Sequence, residues 1–245
     1  MIKAILTGHT RGLGAALAGE LLDRKIPLLG LARRTDTGLP ERFPGLIEQV
    51  ALDLADSAAL GNWLAGDRLA AFAAGADELL LINNAGVLAP MGALDRQDPA
   101  AVARAVCLNV AAPLMISSAL AGLHRGGLRI VHISSGAARN AYPGWSVYCA
   151  TKAALDHHAR AVTLDGDARL RICSLAPGVI DTDMQAEIRE TPVGIFPMQD
   201  RFVALKQDGQ LASPRDVASR LVRYLLGKDF GAEPVADLRS LPEAG

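Results

Sequence analysis

Apolar residues along this chain gather into short continuous runs, separated by longer stretches of helical periodicity. The runs fall at residues 2–6, 27–32, 79–82, 128–133 and 169–176, with a weaker one at 46–52. Runs of that length without polar alternation predict strands covered on both faces, as in a parallel sheet. Helical patterns occupy 13–23, 56–74, 99–123, 147–164 and 214–226. Strand then helix, repeated, predicts parallel crossovers and a doubly wound α/β sheet. The stretch 183–213 holds Pro192, Gly194, Pro197 and Gly209 and reads as a mobile insertion of the lid or binding-loop kind. No repeat, low-complexity tract or linker divides the chain, so residues 1–245 read as a single domain.

Composition narrows the class. Half of the 245 residues are hydrophobic, enough for a large core. A net charge of −1 and a pI near 6.5 supply no electrostatic attraction for nucleic acid or an anionic membrane. Cys107, Cys149 and Cys173 lack metal-ligand spacing and predict free thiols in a reducing cytoplasm, with no metal site. The first strand begins without signal-peptide organisation, and no run of 18 uninterrupted apolar residues follows. The expected location is therefore the cytoplasm, with no membrane span.

Three local patterns carry chemistry. Tyr148 and Lys152 stand four apart on a predicted helix, which places them on one face about 6 Å apart along the axis. A neighbouring ammonium favours the phenolate, so Lys152 is expected to lower the pKa of Tyr148 from its usual value of about 10. Upstream, the run 128–133 ends in Ser134-Ser135-Gly136, putting hydroxyls at the carboxyl end of a buried strand. Spacing favours Ser135 over Ser134 as the group that polarises a carbonyl oxygen.

The second pattern is the turn Thr7-Gly8-His9-Thr10-Arg11-Gly12-Leu13-Gly14, between the first strand and first helix. Glycines there let backbone N–H groups approach a pyrophosphate at a helix amino terminus. The third is Arg33-Arg34, about 20 residues beyond the glycines at the end of the second strand. A carboxylate at that place accepts the ribose 2′-hydroxyl of NAD, whereas arginine accommodates the 2′-phosphate of NADP. The alternative is a pair of solvated arginines at a strand end. Arg33 and Arg34 favour NADP(H), and Arg11 adds a further positive charge.

These patterns, with Asp53-Leu54, Asn84-Ala85-Gly86, Asn109 and Pro177-Gly178 in the same order and register, resemble the short-chain dehydrogenase/reductase family over essentially the whole chain. The resemblance implies a Rossmann-type fold with a seventh strand near 235–238. It implies that Asp53 and Leu54 border the adenine, and that Asn84, Ala85 and Gly86 support cofactor and sheet. Pro177, Gly178, Ile180 and Thr182 join Tyr148 and Lys152 around the cofactor, with Lys152 on the nicotinamide ribose. Asn109 holds a water relaying protons to Lys152; the residue-level alternative is an amide satisfying a buried backbone group. A homodimer or homotetramer through helices 99–123 and 147–164 is also implied.

A closer similarity, carried by residues 177–185 and 205–209, is to the sepiapterin reductase branch and its bacterial diketone-reducing relatives. In pterin-reducing members an aspartate near the carboxyl terminus anchors the pterin. Here Asp237 falls earlier than that anchor, which aligns near Arg239 or Ser240, so an aromatic ketone or 1,2-diketone is the favoured substrate. Ser135, Gly136, Tyr142, Trp145, Tyr148, Gly178, Val179 and Met184 are expected to wall its pocket, with Tyr142 and Trp145 as flat surfaces for an aromatic guest. The expected activity is NADPH-dependent carbonyl reduction. Alternatives are a non-catalytic NADP-binding regulator and an alcohol dehydrogenase working oxidatively. His132, inside a strand, reads as packed core, and His157 and His158 as facing solvent or a partner helix.

Overall fold

The computed structural model describes residues 1–241. Seven strands form one parallel sheet: β1 (Ile2–Thr7), β2 (Leu28–Ala32), β3 (Ile47–Ala51), β4 (Glu78–Asn83), β5 (Gly127–Ile133), β6 (Leu170–Ala176) and β7 (Val235–Asp237). Their order is β3-β2-β1-β4-β5-β6-β7, with every neighbouring pair parallel. Strand order reverses between β1 and β4, and the crevice outside their carboxyl ends is where such sheets take ligands.

Successive side chains on a strand point to opposite faces, which explains why the apolar runs are continuous. Ala4, Leu6, Leu80 and Ile82 face one layer, containing α1 (Gly12–Asp23) and α10 (Pro214–Leu226) through Leu17, Leu21, Leu221 and Leu225. Ile5, Leu79 and Leu81 face the other, where Leu60, Phe72, Ile116 and Ala159 arrive from the helices between β3 and β6. Both layers bury the sheet, giving the Rossmann-type architecture expected of the motifs.

Several element boundaries differ from the periodicity. The pattern at 56–74 is two helices, α3 (Ser57–Leu64) and α4 (Arg68–Ala73), following a short α2 (Gly38–Arg42) that the sequence reading did not include. The break falls at Ala65-Gly66-Asp67, where Gly66 N–H turns back to Trp63 O. Residues 99–123 stay helical but run as α5 (Pro99–Val106), a π-helical turn (Cys107–Ala111) and α6 (Ala112–Leu123). By length and composition this helix could cross a membrane, yet Ala112, Ile116 and Leu120 pack on the sheet. Next comes α7 (Ser146–Leu164), against β6.

The expected irregular insertion at 183–213 is instead structured. It contains α8 (Asp183–Glu190) and α9 (Gln199–Gln207). Its base is closed by a parallel bridge between Ile180 and Ala212, with Asp181 N–H donating to Ala212 O and Ala212 N–H to Val179 O, each at 3.0 Å. Lys206 of α9 reaches back to Asp181 at 2.5 Å. Pro192 and Pro197 sit in the connector between the two helices, so they end elements rather than prevent them.

The α1–α10 layer carries a direct expectation. Leu221 is fully buried in it, so Leu221→Ala should lower unfolding free energy by about 2–5 kcal/mol in urea titration, with an unchanged m-value. A loss below about 1 kcal/mol contradicts that packing.

Candidate active site

On the β1 side of the crevice, the glycine turn is shaped by close backbone approach. Gly8 and Gly12 have φ of +71° and +53°, a region that disfavours side chains. A Cβ on Gly14 would lie 1.9 Å from Gly8 O. Asn84 at the end of β4 stitches the turn down: its Nδ2 donates to Thr7 O at 3.0 Å and Gly8 O at 3.2 Å, while Thr7 Oγ1 accepts from the N–H groups of Asn84 and Ala85. Arg11, at the N-cap of α1, makes no cap; its guanidinium lies 3.8 Å from Asp183 across the crevice. A Cβ on Gly12 would come within 3.4 Å of Thr182, so the glycine turn and the 180–183 segment form opposite lips.

At the outer end, Arg33 and Arg34 follow β2 and are exposed, and among the described residues neither has an ion pair within the chain. Asp53 is held by Arg104 at 3.0 Å and by the Ala55 N–H. Leu54 is buried beside it. Bonds from Ala55 and Arg104 outweigh partial desolvation and lower the pKa of Asp53. A compact backbone cradle with two free guanidiniums at its far end fits a phosphorylated dinucleotide.

The second group converges under α7. Lys152 is 5 % exposed, and its Nζ donates to Ile133 O at 2.7 Å, leaving two protons free. It also lies 5.6 Å from the centre of the Tyr148 ring. A Cβ added to Gly86 would stand 3.3 Å from Asn109 Oδ1 and 3.6 Å from Lys152 Nζ, so Gly86 lies against both groups. The two serines separate by role: Ser134 is buried and donates to Asp156 at 2.7 Å, whereas Ser135 accepts from Ala137 N–H and has its hydroxyl beside the Tyr148 phenol.

Electrostatics here depart from the expectation that Lys152 lowers the Tyr148 pKa. Burial pushes the Tyr148 phenol up to about 12, with the Ser135 hydroxyl opposing. Burial also pushes the Lys152 ammonium down to about 8, opposed by Asp156 one helical turn away. Helical spacing placed the groups together, but desolvation outweighs their interaction. The phenol therefore stays protonated through neutral pH.

Asn109 lies in the π-helical turn, 1 % exposed. Its amide is spent: Oδ1 accepts from Val87 N–H at 2.9 Å, and Nδ2 donates to Val87 O and Thr151 Oγ1. Behind Lys152, Asp156 gathers Ser134, Ser174 at 2.7 Å and the Arg139 guanidinium at 3.4 Å. Asp156, four residues past Lys152, was detectable by spacing but went unread; Ser174 and Arg139 carry no local signal. His132 is fully buried, as expected, and its Nε2 is bonded to His158 Nδ1 at 3.0 Å, so His158 turns inward while His157 stays exposed.

The substrate side is the largest correction. Trp145 does not present an open face: Phe196 stacks on it at 4.5 Å and 10°, and Phe202 and Tyr148 pack around its edges. Both phenylalanines come from the 183–213 excursion and were not recognised as site residues. Tyr142 is half-buried, 5.4 Å from Trp145. Gly136, Gly178, Val179 and Met184 are partly exposed, with Pro177 and Ile180 more enclosed. A broad, open depression of about 660 Å³ runs along α8, bordered by Met91, Asp183, Glu187, Thr191 and Ile195, and Ser135, Tyr148 and Lys152 do not line it. Asp237 is paired with Arg239 through 2.9 and 2.7 Å bonds, and the Arg239 stem lies against Gly178.

A seven-stranded sheet with these motifs at its switch point defines an oxidoreductase fold, and comparison with known proteins supplies the family. Residues 3–193 match the short chain dehydrogenase model, and the chain belongs to that family of oxidoreductases, which act on CH–OH and C=O groups with a nicotinamide cofactor. It is 34 % identical over 239 residues to the benzil reductase ((S)-benzoin forming) of Bacillus cereus, covering 94 % of this chain and 96 % of that one. It is 35 % identical over 241 residues to the sepiapterin reductase of Meriones unguiculatus, covering 92 % and 91 %. A short-chain dehydrogenase/reductase structure from Burkholderia vietnamiensis shares 50 % identity at a TM-score of 0.72, covering 98 % of each chain.

Lys152 also carries a stability expectation. Its folded pKa of about 8 lies below the ordinary 10.5, so between those values the unfolded chain binds more protons and stability rises with pH. Lys152→Met should abolish turnover and should flatten the rise in thermal midpoint above pH 8 relative to wild type. A rise above pH 8 as steep in the variant as in wild type contradicts the lowered ammonium pKa.

Proposed function

We propose that this chain is an NADPH-dependent carbonyl reductase acting on a ketone or 1,2-diketone, giving an alcohol or hydroxy ketone. The observation that carries the reading is the convergence of Ser135, Tyr148 and Lys152 at the mouth of a cradle whose outer end holds two unpaired arginines. Bound NADPH supplies a hydride to the carbonyl carbon. Ser135 donates a hydrogen bond to the carbonyl oxygen and stabilises the charge that develops there. The Tyr148 phenol, held neutral by burial, gives its proton to that oxygen. Lys152 binds the cofactor ribose with its two free protons and returns a proton to Tyr148.

In this reading a relay water beside Asn109 and Lys152, next to Gly86, returns protons from solvent to Lys152. Gly8, Thr10, Gly12, Leu13, Gly14 and Thr182 enclose the pyrophosphate, Asp53 and Leu54 the adenine, and Asn84 and Ala85 hold the floor. The names of the relatives, together with the Asp237–Arg239 pair, support a benzil-like diketone over a pterin. We place the protein in the cytoplasm and read it as a homodimer or homotetramer. Val106 and Leu123, 42 % and 41 % exposed on the α5–α6 helix, support that assembly.

NADPH oxidation with benzil, 1-phenyl-1,2-propanedione and sepiapterin tests the reading. Turnover of the diketones is expected, falling about 10²- to 10⁴-fold in Tyr148→Phe while NADPH still binds. No turnover across a broad dicarbonyl panel, with NADPH bound, overturns it in favour of a non-catalytic NADP-binding protein. Replacing Arg33 and Arg34 together by Ala should weaken NADPH at least about tenfold and leave NADH little changed. Equal losses for both cofactors remove these arginines from 2′-phosphate recognition.

A further inference from the structure

Behind the two arginines lies a buried polar strut that the reaction does not use. His9, inside the glycine turn, is fully buried, and its ring fills the space beside Gly30 of β2. A Cβ on Gly30 would come 2.6 Å from His9 Nδ1, so a side chain at residue 30 excludes this placement. On β3, Gln49 receives the ring: His9 Nε2 lies 2.7 Å from Gln49 Oε1. The same oxygen accepts from Asp36 N–H at 2.7 Å, and Gln49 Nε2 donates to Asp36 O at 2.8 Å. That second bond fixes which end of the amide faces the histidine. Oε1 can only accept, so His9 carries its proton on Nε2. Asp36 then receives Gly38 and Leu39 N–H groups on Oδ1, anchoring the start of α2.

Arg33 and Arg34 lie between the end of β2 and Asp36. One end of their segment is thus pinned by the sheet and the other by Gln49 and His9. The strut joins the turn that faces the pyrophosphate to the segment that faces the adenosine ribose. Long arginine side chains lose much conformational freedom when they bind, and a fixed backbone beneath them reduces what remains to be ordered. Burial lowers the His9 pKa, which favours the neutral ring.

We propose that His9, acting through Gln49, is a positioning residue that holds the Arg33–Arg34 segment for the 2′-phosphate and thereby sets preference for NADP over NAD. The inference rests on the reading of Arg33 and Arg34 given under Proposed function. Dissociation constants for NADPH and NADH, measured by calorimetry on the full chain, test it in His9→Phe and Gln49→Met. Each substitution keeps bulk and removes the hydrogen bonds; Gln49→Met, on a half-buried strand position, serves should His9→Phe fail to fold. In each, the ratio of NADH to NADPH dissociation constants should fall about tenfold, with NADH itself moved less than about threefold. The double variant should be no worse than the more damaging single one, as for members of one chain of bonds.

Arg33→Ala/Arg34→Ala is measured alongside. If that variant loses NADPH preference while the His9 and Gln49 variants keep it, or weaken both cofactors equally, the positioning role is overturned and the arginine reading stands. If the arginine variant keeps its preference, both are overturned.

Discussion

The burial of one ammonium group organises this site. Lys152 lies 5 % exposed at the carboxyl ends of β4 and β5, where an uncompensated charge is costly. The surroundings answer that cost piece by piece. Ile133 ends its strand with a carbonyl on Nζ, and Asp156 stands one turn below as a counter-charge. Asp156 accepts from Ser134 and Ser174 on Oδ1, while its buried Oδ2 faces the Arg139 guanidinium at 3.4 Å without a hydrogen bond. Arg139 continues the chain to Ala236 O on β7. The charge is thus coupled to four elements, which fixes α7 against the sheet and with it the direction of Tyr148.

Burial also decides how the phenol behaves. Proximity to an ammonium favours the phenolate in water, yet enclosure of both groups raises the phenol and lowers the ammonium. A neutral phenol beside a readily deprotonated lysine can pass a proton along with little charge left stranded. The aromatic cluster above them supplies part of that enclosure, because Phe196 and Phe202 bring the excursion down onto Trp145 and Tyr148. The lid therefore shapes the electrostatics of the site as well as its access.

The two sides of the crevice were unequally legible in the residues. The cofactor side rests on backbone: glycines at fixed offsets, an asparagine reaching back to Thr7 and Gly8, arginines at a strand end. The glycine and arginine features are local, and Gly14 is required by a contact with Gly8 only six residues away, whereas Asn84 bonds to Thr7 from 77 positions off. The substrate side rests on long-range packing. Phe196 meets Trp145 across 51 positions of sequence, and nothing near either residue announces the other. Proline and glycine content suggested an irregular, mobile insertion at 183–213, whereas the prolines delimit α8 and α9 and a two-residue bridge closes the neck.

By itself, the sequence determined strand and helix alternation, a Rossmann-type sheet with a seventh strand by resemblance, the glycine turn, and the spacing that puts Tyr148 and Lys152 on one face. These follow from periodicity and local geometry, which depend on near neighbours in the chain. Tertiary structure alone decided which serine stands beside the phenol, where the Asn109 amide is spent, that Trp145 is covered, and which way the two pKa values move. Those outcomes turn on desolvation and on hydrogen-bond partners tens of residues away. Pattern and spacing carry no measure of either until the chain has closed upon itself.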